Sequence, residues 1–90
     1  MAETSNDMRT YARGKVTEYL IRNGNPGPLK SLAPEDYIDA KQEIGESLFP
    51  VGGGIDLSGI PQEGSWDDFA YEVAVVLTKH QHRNFPELTQ

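Results

Sequence analysis

Met8, Tyr11, Ala12, Val16, Tyr19 and Leu20 recur at steps of three and four residues. They lay one apolar stripe along a repeat of about 3.6 residues. The spacing predicts a first helix that begins near Ser5 or Asn6 and spans about residues 6–23, with Arg9, Arg13 and Arg22 outside the stripe. Its end is marked by Asn23-Gly24, a pair suited to the left-handed conformation, and by Pro26 and Pro28, which cannot continue a helix. Gly14 weakens the middle by up to ~1 kcal/mol relative to alanine, so the helix depends on tertiary packing.

A short, stiff linker follows, with Leu29 and Leu32 as its anchors in the core. Pro34 suits the first turn of a second helix, where a missing N–H is harmless, and Glu35 and Asp36 face the positive end of the helix dipole. Tyr37, Ile38, the stem of Lys41, Ile44, Leu48 and Phe49 continue the helical spacing until Pro50, which gives a helix over about 34–49. Residues 51–64 hold five glycines and a proline and form a loop. Ile55, Leu57 and Ile60 are too apolar for a free linker, so the loop should lie ordered across the core, with room for a short hairpin. Ser65-Trp66-Asp67-Asp68 opens a third helix with a capping box in which aspartate stands for the usual glutamate. Trp66, Phe69, Ala70, Val73, Val76, Leu77 and His80 carry its apolar stripe over about 66–82, and residues 84–90 form a fraying tail. Val73, Val75 and Val76 also suit a strand, but the spacing over four turns favours helix. The expected fold is mainly α: a compact three-helix domain with an ordered glycine-rich loop between the second and third helices.

Ninety residues supply one hydrophobic core and hence a single domain, 1–90. Without cysteine there is no disulfide, thiolate nucleophile or cysteine-based zinc site, and a cytoplasmic, soluble protein is expected. No run approaches the ~18 apolar residues of a membrane span. Met1 to Asp7 are polar and acidic where a signal peptide would be basic and then apolar.

The net charge of −6 is unevenly spread. Residues 1–30 carry five basic and three acidic side chains, whereas residues 31–78 carry ten carboxylates against Lys41 alone. Such a middle repels nucleic acid and anionic membrane and attracts basic surfaces. It serves equally to keep a small protein dissolved.

Candidate chemistry is thin. Gly52-Gly53-Gly54 lacks the following Lys-Ser or Lys-Thr and the helix start of a phosphate loop, and Asp56 and Glu63 would repel phosphate. His80 and His82, two apart on a helix, diverge where metal ligands need steps of three or four; beside Lys79 and Arg83 they suit the negative end of the helix dipole. Asp67, Asp68 and Glu72 are explained by an acidic first turn, and the serines have no flanks or histidine relay for nucleophilic catalysis. No enzyme, cofactor or metal is therefore expected.

Three helices with a stiff turn invite comparison with helix-turn-helix DNA binders, but the second helix would oppose phosphates with Glu35, Asp36, Asp39, Glu43 and Glu46. Direct nucleic-acid binding is disfavoured. Tyr11, Tyr19, Tyr37, Trp66 and Phe85 exceed what so small a core requires, and some are expected to face a partner. Small acidic domains without chemistry of their own occur among phage and mobile-element accessory proteins that occlude a host enzyme, an analogy of class only. The expected function is a non-enzymatic protein-binding module, an inhibitor or adaptor that presents Glu35, Asp36, Asp39, Glu43, Glu46 and Asp56 to the basic surface of a nucleic-acid-handling partner. A DNA-binding regulator that reads through the first helix and dimerises through the third, and a subunit of a larger complex, remain as alternatives.

Overall fold

A computed structural model of the chain describes residues 6–48 and 54–84, and of Asn6 and residues 81–84 only the backbone. Expectations placed on Ser5, Phe49, Pro50, residues 51–53, the tail from Phe85 and the side chains of His82 and Arg83 lie outside the described residues.

Three helices form: α1 (Asn6–Arg22), α2 (Pro34–Ser47) and α3 (Trp66–Asn84), with a single 3-10 turn at Leu29–Ser31 between the first two. α1 packs mainly along α3 and also against α2. Its stripe is used as the spacing predicts: Ala12, Val16 and Tyr19 are buried, and Met8, Tyr11 and Leu20 pack against them. The helix stops one residue earlier than predicted, in a two-bond terminus. Gly24 N–H donates to Ile21 O at 3.2 Å and Asn25 N–H to Leu20 O at 2.8 Å. Gly24 and Asn25 supply the positive φ angles, 70° and 56°, that this termination needs.

α2 buries Tyr37, Ala40, Ile44 and Gly45, and ends at Ser47 rather than 49. Leu48 is extended and fully buried, so the chain leaves the helix to keep that side chain in the core. Ile38 departs from expectation, since it is 59% exposed. Its row on the helix continues through Lys41, Gln42 and Gly45, without a large apolar partner, whereas the buried row is Tyr37, Ala40, Ile44 and Leu48.

α3 is the central element, with Phe69, Ala70, Val73, Ala74, Leu77 and Thr78 buried. The Thr78 hydroxyl is satisfied by donating to Ala74 O at 2.9 Å. The predicted capping box forms: Asp68 N–H donates to Ser65 Oγ at 3.2 Å, and Ser65 N–H donates to Asp68 Oδ2 at 2.9 Å. The helix continues to Asn84, two residues beyond the predicted end.

Four of the five aromatic residues considered for a partner face lie against the core, and Phe85 lies outside the described residues. Tyr19 and Tyr37 are buried and Trp66 packs against the core, so they hold the helices together and do not face outward. Rings step from Tyr19 to Trp66 (6.0 Å), to Phe69 (5.7 Å) and to Tyr37 (6.0 Å), joining α1, α3 and α2 through tilted and edge-on contacts. Among the described residues the exposed aromatic is Tyr71, at 46%.

The glycine-rich loop between α2 and α3 lies across the core, with Leu57 and Ile60 buried and Ile55 half-buried. No hairpin forms among its described residues. Besides short-range turns of its own, the loop bonds to the helices: Ile55 N–H donates to Gly45 O at 2.8 Å, and the Tyr37 hydroxyl bridges Ile60 O and Pro61 O at 2.9 and 3.0 Å. Gln62 Nε2 reaches Leu29 O (3.0 Å) and Leu32 O (2.9 Å), and Trp66 Nε1 donates to Gly27 O at 2.8 Å, which fixes the first linker as well.

Candidate protein-binding face

An α-helix turns 100° per residue, so the carboxylates of α2 can be placed around its axis. Glu35, Glu46, Asp39, Glu43 and Asp36 fall, in that order, within about 100° of arc. The buried row occupies the opposite side, and Ile38 and Gln42 lie on the flank between the acidic arc and the loop.

The two edges of the arc differ. Asp36 and Glu43 face the end of α1. There Arg22 meets Glu43 at 2.6 Å, and Asn23 Nδ2 also reaches Glu43 Oε2 at 3.4 Å. Arg22 is shared with Glu18 at 3.9 Å. Glu43 is thus half-buried and committed to holding α1 and α2 together, which removes it from the set available to a partner. The Tyr19 phenol is pushed above its ordinary value, first by burial and then by the charges of Glu43, Asp36 and Asp39. Glu35, Asp36 and Asp39 are exposed, and among the described residues no cation comes within 4 Å of them.

On the other edge, Glu46 accepts a bond from Gln42 Nε2 at 3.4 Å and stays exposed. Asp56 stands apart from the helical arc, on the loop. Its Oδ1 accepts the Ser58 N–H at 2.9 Å, the geometry of an Asx turn. The bonds from Ser58 hold its carboxyl below the usual carboxylate range, with a smaller contribution from Lys41, so it is charged at neutral pH. Between Glu46 and Asp56 runs an open groove of about 740 Å³, walled by Ile38, Gln42 and Glu46 on the helix and by Ile55, Asp56 and Leu57 on the loop. Five of the six candidate carboxylates therefore share one helical arc and the sixth stands across a groove from it. Sequence reasoning missed the groove. The polar row through Ile38 was the available signal, because it leaves an isoleucine with nothing to pack on along its own helix.

Elsewhere four cations have partners within the chain. Arg13 pairs with Asp67 at 3.6 Å, Arg9 lies 5.1 Å over the Tyr71 ring, and Lys15 is 3.9 Å from Glu18. Lys41 donates to Ser58 O at 3.1 Å and to Ile60 O at 3.4 Å while lying 4.5 Å above the Tyr37 ring. It acts as a strut between α2 and the loop. Among the described residues there is no group of three or more histidine or carboxylate side chains placed to hold a metal, and no helix long and apolar enough to cross a membrane. His80 is half-buried on α3, near the end of the described side chains.

Compared with protein-family models, curated proteins and solved structures, the chain matches none. Its class is therefore given by its own geometry: a mainly α three-helix domain with a carboxylate arc on one helix.

Proposed function

We propose that this chain is a non-enzymatic protein-binding module, an inhibitor or adaptor that applies the carboxylate arc of α2 to a basic surface of a nucleic-acid-handling protein. The observation that carries this reading is the trio Glu35, Asp36 and Asp39, exposed on one helical face with no cation within 4 Å among the described residues. Carboxylates left unpaired on a rigid helix keep their full field, and they engage cations where a partner would otherwise meet phosphates. Glu46 extends the row along the helix, and Asp56 adds a charge held by its turn. The arginines of the first helix each have a carboxylate or ring of the chain beside them, Asp67, Tyr71 or Glu43, in solvent-exposed contacts.

Affinity capture from a lysate of the native host, with the wild-type chain beside the Glu35→Lys/Asp36→Lys/Asp39→Lys variant, tests the proposal. The expected result is a basic protein retained by the wild type, released by raised salt and by competing duplex DNA, and absent from the variant. The same proteins recovered with both chains, or DNA itself recovered in place of a protein, would count against it.

A further inference from the structure

The groove beside the carboxylate arc has an apolar wall that no other described residue covers. Ile38 is 59% exposed, and it faces a loop wall that includes half-buried Ile55. An isolated exposed isoleucine needs no explanation. This one lines a groove of about 740 Å³ whose two rims carry Glu46 and Asp56, and it borders the row of Glu35 and Asp39. The cation at the groove, Lys41, is tied to the loop carbonyls and to the Tyr37 ring, and so presents its stem more than its charge. From Ile38 to Glu46 the helical wall runs about two turns, or roughly 12 Å. That length matches three successive anchors, i, i+3 and i+7, on one face of an amphipathic helix.

We propose that this groove receives the apolar face of a basic amphipathic helix from the protein partner, with an aliphatic side chain seated on Ile38 and Ile55 and lysines or arginines reaching Glu46, Asp56 and the α2 arc. The inference rests on the protein-binding reading above and names the segment that the surface would take. Charge complementarity selects this occupant: an acidic rim around an apolar floor rejects an acidic or a wholly polar segment.

The test is an amide-shift titration of the intact ¹⁵N-labelled chain with two synthetic helical peptides. One carries leucines at i, i+3 and i+7 among lysines; the other is matched in charge with alanines in place of the leucines. The expected result is saturable binding of the leucine peptide, shifts concentrated at Ile38, Gln42 and Gly54 to Ser58, and affinity for the alanine peptide lower by about tenfold or more. The variant Ile38→Asp separates the contributions by sign. It adds an attractive charge for lysine and removes the apolar seat, so the groove predicts weakening of about tenfold, whereas attraction by charge alone predicts equal or tighter binding. Ile38→Ala, which changes no charge, should weaken binding in the same direction.

Leucine-peptide binding that survives both Ile38 variants, with shifts confined to Glu35, Asp36 and Asp39, would overturn the groove and leave the carboxylate arc standing. Absence of saturable binding would overturn it too, and so would groove shifts that depend on protein concentration alone, which would assign the surface to a second copy. The protein-binding reading fails separately, by recovery of the same proteins with the charge-reversed variant.

Discussion

Two glycines on neighbouring helices have opposite meanings. Gly14 is exposed in α1, and a Cβ there meets nothing within 4 Å. Gly14→Ala is therefore expected to stabilise the chain by about 0.5–1 kcal/mol, seen as a higher urea midpoint with an unchanged slope. At Gly45 a Cβ would run into the Ile55 carbonyl, and the loop's Gly54, at φ 87°, lies against the same turn. Gly45→Ala gains the same helix propensity but overpacks the contact by about 1–3 kcal/mol, so the net effect should be destabilising. Tyr37 makes a prediction of another kind. Burial raises its phenol from 10.0 to about 12, and the neutral form donates to Ile60 O and Pro61 O. A group with a raised folded-state pKa stabilises fully below its unfolded value and loses that contribution as pH rises, so stability should hold to about pH 10 and fall between about 10 and 12. Tyr19, shifted in the same direction, adds to the fall. Tyr37→Phe should cost about 1–3 kcal/mol at neutral pH and flatten that alkaline slope, both measurable by urea titration across pH. Of this, only the helix-weakening effect of Gly14 was legible in the sequence. What sets Gly45 apart from it is the crossing loop, which no local signal places there.

At the scale of elements, the helices were legible because each has both a stripe and a start or stop signal. Asn23-Gly24, Pro34 and the Ser65/Asp68 box are local signals, and each acts within a few residues of where it stands. The helix boundaries moved where tertiary packing outweighed local preference, as at Leu48, which the core draws out of the helix. The loop was legible only in part. That Leu57 and Ile60 are buried follows from their apolarity, but the bonds from Tyr37, Lys41 and Gln62 span 17 to 33 residues and have no local signature. Those bonds make the loop an ordered wall for the groove. Lys41→Met should keep the stem, remove the donors to Ser58 O and Ile60 O, and raise amide exchange in residues 54–60 while leaving that of α1 near wild type.

At the scale of the whole molecule, charge is sorted. The carboxylates of α2 were visible in the sequence as a cluster, and their angular order as an arc follows from helical geometry alone. Their availability was not visible. Glu43 is held by Arg22 across 21 residues, so Glu35, Asp36 and Asp39 carry the proposed contact, with Glu46 and Asp56 beside the groove. The aromatics show the same limit, since Tyr19, Tyr37 and Trp66 form the ring chain of the core in place of an outward face. The most direct measurement is the affinity of the isolated chain for its captured protein partner as a function of salt, for wild type and for the Glu35→Lys/Asp36→Lys/Asp39→Lys variant. The account predicts an affinity that falls steeply as salt rises, and a variant that binds at least about tenfold more weakly at low salt while melting like the wild type. An affinity indifferent to salt, or a variant that binds as well as the wild type, would contradict it.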